Sequence, residues 1–148
     1  MTALNHFELA LQITPDDRKI REMVERARNE AGAALSKTYE KQGAFEEELG
    51  QWVRAAQSFL KALDVQKENH RLMDRAAYNL FRGGGNMFRA EELARQALEH
   101  EPNNVDYRAT LSEILQKNGD KTGAARSLEE ASRLDPGNER VARLLGAR

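Results

Sequence analysis

Apolar residues recur along this chain at steps of three and four, and short polar turns break the recurrence at regular intervals. That step places them on one face of a helix. The longest stripe is Ile20, Val24, Ala27, Ala31, Leu35, Thr38, Gln42, Phe45 and Leu49. It predicts a single helix from Asp17 to Leu49. Gly32 and Gly43 weaken that helix by up to ~1 kcal/mol each relative to alanine, so a break near Gly43 is the alternative. Shorter stripes predict helices over Thr2–Thr14, Trp52–Val65, His70–Arg82, Met87–His100, Val105–Lys117, Lys121–Leu134 and Glu139–Gly146. Asn118-Gly119 reads as a helix stop and Asp120 as the cap of the helix that follows.

The turns are not independent of one another. Four helix ends align: ALQITPDD from Ala10, ALDVQKEN from Ala62, ALEHEPNN from Ala97 and ASRLDPGN from Ala131. Proline ends a helix because it lacks an N–H and clashes with the preceding turn, and it stands at the same place in three of the four. Ala97 and Ala131 are 34 residues apart, Ala62 and Ala97 are 35 apart, and Ala10 and Ala62 are 52 apart, which is 34 plus 18. Eighteen residues make about five turns at ~3.6 per turn, so an insertion of that size lengthens a helix without rotating its apolar face.

Upstream of each anchor a second pattern recurs. Ala3, Phe7 and Ala10 are spaced like Ala55, Phe59 and Ala62; Ala90, Ala94 and Ala97 follow with the aromatic reduced, and Ala124, Leu128 and Ala131 with leucine. Tyr39 with Gly43, and Leu145 with Gly146, keep large-then-small pairs on the intervening helices. In period and in this second-helix pattern the sequence resembles the tetratricopeptide repeat family over nearly its whole length. The resemblance implies an all-α fold, a right-handed superhelix of antiparallel helix pairs (an α-α solenoid) with one elongated helix. Residues 1–148 then form one domain: a half repeat over 1–15, a repeat with a stretched first helix over 16–68, repeats over 69–103 and 104–138, and a partial capping helix over 139–148. Such repeats occur beside J-domains and signalling domains in bacterial proteins, and the chain opens in a second helix. A larger parent protein is therefore expected.

Composition narrows the function. With 40% apolar residues, 32% charged residues and a net charge of −1, the 148-residue chain carries no basic footprint for nucleic acid. It has no cysteine, which excludes disulfides, thiolate zinc sites and thiol nucleophiles and fits a reducing, cytoplasmic setting. No apolar run reaches the ~20 residues that span a bilayer, so no membrane insertion is expected. Gly83-Gly84-Gly85 follows a helix and lacks the Lys-Ser/Thr of a phosphate loop. His6, His70 and His100 have no metal-ligand spacing. Glu46-Glu47-Glu48 point in different directions on a helix and read as a solvated face. No cofactor, metal or catalytic residue is expected, and the chain reads as a non-enzyme.

What remains is protein binding. Stacked helix pairs curve, and their first helices line a concave groove. The residues expected to face it are Arg71, Asp74, Arg75, Tyr78, Phe81 and Arg82 on one first helix, with Glu113 and Lys117 on the next. Aromatics and arginine are the types enriched at binding hot spots. The expected role is an adaptor or scaffold docking a protein or peptide partner in this groove. Asn79 is one residue out of phase for it. Trp52 reads as a packing knob against the long helix, and Arg140 and Arg143 as a basic edge. The alternative role is self-association as a homodimer through the long helix, at Ile20, Met23, Val24 and Ala27.

Overall fold

The computed structural model describes residues 1–147. Among these, eight helices and no strand are found: α1 (Ala3–Ile13), α2 (Arg18–Glu48), α3 (Trp52–Val65), α4 (His70–Arg82), α5 (Met87–His100), α6 (Val105–Lys117), α7 (Lys121–Leu134) and α8 (Glu139–Gly146). Most helix starts have a local cause. Asn69, Asn104 and Asn138 cap the first helices α4, α6 and α8, each accepting a backbone N–H three residues on, at 3.0–3.2 Å. Asn86 and Asp120 do the same for the second helices α5 and α7. These side chains satisfy donors that a helix start leaves without a carbonyl. The turns from first to second helix pass through Gly50, Gly84 and Gly119, at φ of +69°, +65° and +90°. A β-carbon disfavours that left-handed backbone, so the glycine recurs with the repeat.

Helices α3, α4 and α5 present alanine, and this lets the layers close. Ala55, Ala62, Ala76, Ala77, Ala90, Ala94 and Ala97 are all without exposure. Leu72, Leu93, Ile114 and Leu115 interdigitate between them in one core running from α3 to α7. A smaller cluster of Ala109, Leu128, Ala131 and Val141 joins α8 to the end of the stack.

The long helix is continuous through Gly43, its 31 residues spanning about 46 Å. Its apolar face does not keep one neighbour. Over residues 18–31 only Ile20, Val24 and Ala27 lose exposure, and α1 packs there, held by the 2.8 Å Arg28–Glu8 ion pair. Beyond residue 31 the expected stripe faces solvent: Leu35 is 47% exposed, Phe45 61% and Leu49 55%. The buried face there is instead Ser36, Gly43 and Glu46. The reason is close approach. A β-carbon on Gly43 would stand 3.1 Å from the Phe59 ring, and the Ser36 hydroxyl donates to the Ala62 carbonyl at 2.9 Å. Helix α3 seats on the small residues of α2, not on the large ones.

The three-glutamate run is also corrected. Glu46 is buried and accepts hydrogen bonds from Ser58 of α3 (2.6 Å) and from Gln42 (3.1 Å). Glu47 pairs with Arg75 of α4. Of the three, only Glu48 is solvated. A buried carboxylate is tolerated because each is hydrogen-bonded or paired.

Candidate functional site

The first helices α2, α4, α6 and α8 lie side by side, and polar side chains tie their shared face together. Arg71 and Arg75 of α4 pair with Glu40 and Glu47 of α2. Asn79 adds a 3.0 Å hydrogen bond from Nδ2 to Glu47 and is buried. On the other flank Arg140 of α8 donates to Glu113 (2.8 Å), to the Thr110 hydroxyl (3.1 Å) and to the Asp106 carbonyl (3.3 Å) of α6.

Tyr78 stands at the centre of this face. Its ring takes the edge of Trp52 at 6.3 Å between centroids. The guanidinium groups of Arg75, Arg140 and Arg82 lie 4.9, 5.3 and 5.8 Å from its centre, within cation–π range. Arg82 also donates to the Tyr78 hydroxyl at 3.0 Å and stacks 4.2 Å over Trp52. Arg75 and Arg140 have carboxylate partners. Arg82 has none among the described residues and is exposed, so its charge is held in place but not neutralised.

Asp74 lies beneath the face. It is 3% exposed, and its Oδ1 has no hydrogen-bond partner among the described residues. Burial pushes its carboxyl up to about 6, a shift that Arg75, Thr110 and Arg140 partly offset. Asp74 is therefore part of the floor under the groove and offers no free surface, contrary to expectation.

A tetratricopeptide repeat sequence model matches residues 85–147. No curated protein matches the chain in sequence. Among solved structures, the TPR domain of Arabidopsis OM64 superposes with a TM-score of 0.69 at 17% identity, over 75% of this chain and 91% of that one. The second TPR domain of human RPAP3, solved with the HSP70 peptide SGPTIEEVD, gives 0.68 at 18% identity, over 80% and 96%. The TPR2AB domain of yeast Sti1, in a complex with pHSP90, gives 0.65 at 15% identity, over 97% of this chain and 58% of that one. Residues 85–147 match the tetratricopeptide-repeat family, and the chain as a whole has the fold of tetratricopeptide-repeat domains.

Within this tetratricopeptide-repeat fold the expected groove residues separate. Arg71, Arg75, Tyr78 and Arg82 meet on the shared face of the first helices. Phe81 instead packs on the core and lines a cleft at the last helix pair, together with Glu113 and Lys117. Trp52 stands at the rim beside Arg82 and Tyr78. Arg140 lies within the face it was expected only to edge, because α8 folds back beside α6. Its register gave a signal: Arg140 stands 34 residues after Asp106, on a first helix of the same period.

The expected self-association face is corrected too. Val24 is 2% exposed, and Ile20 and Ala27 are half-buried where α1 lies on them; Met23 alone of the four stays exposed. No helix among the described residues is long and apolar enough to cross a membrane, and no group of three acidic or histidine residues is placed to hold a metal.

Proposed function

We propose that this chain is a non-catalytic, cytoplasmic adaptor or scaffold module, and that a carboxylate-bearing segment of a partner protein docks on the face formed by Arg71, Arg75, Tyr78 and Arg82. The observation that carries this is Arg82. It is fixed by Trp52 and Tyr78, has no carboxylate partner among the described residues and is exposed beside an aromatic pair. An ordered guanidinium loses little rotamer freedom on meeting a carboxylate, and its planar fork donates two hydrogen bonds to it. The HSP70 peptide bound by the second RPAP3 domain carries two glutamates and an aspartate, which supports an acidic partner here without specifying the same one.

The test is affinity capture with the wild-type chain and with the Tyr78→Ala/Arg82→Ala variant, read by quantitative mass spectrometry at equal helical content. Proteins retained by the first and depleted at least about tenfold by the second would be the groove's partners. Identical captured sets would remove the groove assignment.

The second reading is self-association through α2. It is favoured by the open stripe Ala31, Leu35, Thr38, Gln42, Phe45 and Leu49, whose alternating steps of four and three match a helix–helix seam. Sedimentation equilibrium showing a monomer at every concentration would dismiss it.

A further inference from the structure

Asp74 is a buried carboxyl set among the arginines of the first-helix face. It is 3% exposed, and its Oδ1 lacks a hydrogen-bond partner among the described residues. The groups that act on it come from three helices. Arg75, its neighbour on α4, brings a guanidinium nitrogen to 4.0 Å from the other oxygen. Asp106, Tyr107 and Thr110 act on it from α6, and Arg140 from α8. Tyr107 keeps its proton, because burial pushes its hydroxyl up to about 12.

Charge on this face is matched almost one for one. Its arginines are Arg71, Arg75, Arg82 and Arg140. Glu40 pairs with Arg71, Glu47 with Arg75, and both Glu113 and Asp106 with Arg140. Four cations therefore stand against four carboxylates, and Asp74 is the fifth. Ionised, it tips this group to net negative. Protonated, it leaves the group neutral, with Arg82 as the guanidinium that has no carboxylate beside it.

Two of these arginines connect the buried carboxyl to the surface. Arg75 and Arg140 lie 4.9 and 5.3 Å from the centre of the Tyr78 ring and also act on Asp74. An ionised Asp74 offsets part of their charge at the face, and the protein interior screens this less than water does. Burial pushes the Asp74 carboxyl up to about 6, so its charge changes in mildly acidic solution. Linkage between two sites is reciprocal: an anion on the face favours the proton on Asp74 by the same factor as the proton favours the anion.

We propose that docking on this face is coupled to a proton on Asp74: an acidic segment binds tightly while Asp74 is neutral and is released as Asp74 ionises. The proposal rests on the reading of this face as a docking site for carboxylates and adds its regulation. The sign is distinctive. A partner's own glutamates lose charge on acidification and would weaken binding, whereas Asp74 strengthens it.

The test is isothermal titration calorimetry of the full chain with a ten-residue peptide of alternating glutamate and serine. It is run at pH 5.5 and pH 7.5, both above the ordinary glutamate value of ~4.3. The expected result is binding about threefold or more tighter at pH 5.5. At pH 6.5, heats compared in buffers of different ionisation enthalpy should show net proton uptake. Asp74→Asn should bind no more tightly at pH 5.5 than at pH 7.5 and take up no proton. A second measurement needs no variant: the pH midpoint of the Asp74 carboxyl carbon shift, followed by NMR, should rise when saturating peptide is added. Wild-type binding of equal strength at both pH values, with no proton uptake, would overturn the proton link and leave the docking face standing. A pH dependence that persists in Asp74→Asn would also overturn it, passing the effect to another group such as His70 or His100. No binding at either pH would remove the docking face and the link together.

Discussion

The ring of Phe59 lies against the bare α-carbon of Gly43, so closely that a β-carbon there would stand 3.1 Å from three of its atoms. The ring is buried and cannot move aside cheaply. Gly43→Val should therefore destabilise the chain by about 1–3 kcal/mol, the usual cost of overpacking, despite removing a helix glycine. Gly32→Ala is the contrast. Its neighbour is the Val65 side chain at 3.3 Å, partly exposed at the end of α3 and able to yield. That variant should gain up to ~1 kcal/mol from helix propensity. Urea unfolding followed by circular dichroism measures both.

Asp74 makes stability depend on pH in a defined direction. Its carboxyl is held at about 6 in the folded chain, against an ordinary value of ~3.9 when unfolded. Between those values the folded form keeps a proton that the unfolded form has lost. Stability therefore falls as pH rises through this window, by something on the order of 2–3 kcal/mol once the buried group is ionised. Asp74→Asn should match the wild type near pH 4 and exceed it at pH 8 by that order. Equal urea midpoints at pH 8 would contradict this.

Arg140 is the clasp of the last helix. It joins α8 to Glu113, Thr110 and Asp106 of α6 and lies over Tyr78 of α4. Arg140→Ala should lower the protection of α8 amides by about 1–2 kcal/mol in hydrogen exchange, leaving α3 to α5 unchanged. Uniform loss across the chain would mean that α8 and the core open together.

Trp52 is the chain's single tryptophan and touches Arg82, which makes it an internal reporter. Arg82→Ala should change Trp52 emission in the free chain while costing about 1 kcal/mol of stability or less. A captured groove partner should alter that emission in the wild type and bind the variant at least about tenfold more weakly.

Phe45 tests the open stripe of α2. If copies associate there, Phe45→Glu should yield a monomer at concentrations where the wild type is dimeric by light scattering. Met23→Glu, beside the region α1 covers, should have the smaller effect.

Much of this architecture could be read from the residues in order. Helix limits followed from Asn, Asp, Gly and Pro at fixed offsets, because capping and left-handed turns are local requirements. The choice of buried face on α2 is not local. An apolar stripe records which side could be buried, whereas α3 chose the side where Gly43 and Ser36 allow backbones to approach. Glu46 and Asp74 were misplaced for the same reason: a carboxylate's burial depends on Ser58 or Thr110 arriving from another helix. The aromatic and arginine residues of the groove were identifiable by type. Their grouping was not, since Trp52 and Arg140 lie on helices far apart in sequence.

The stretched helix can be thought of as a screw thread with α1 as its nut. Position along the thread and angle around it are coupled, so α1 can travel only in whole turns if it is to keep its seat. Excising 18 residues from the stretched region would carry it about 27 Å along α2 and onto Leu35, Phe45 and Leu49; excising 16 would carry it about 24 Å and turn it by about 160°. The first excision would restore an evenly spaced array and cover the open stripe at the same time. The insertion and the open stripe would then be lost in one step, as a single property of the thread.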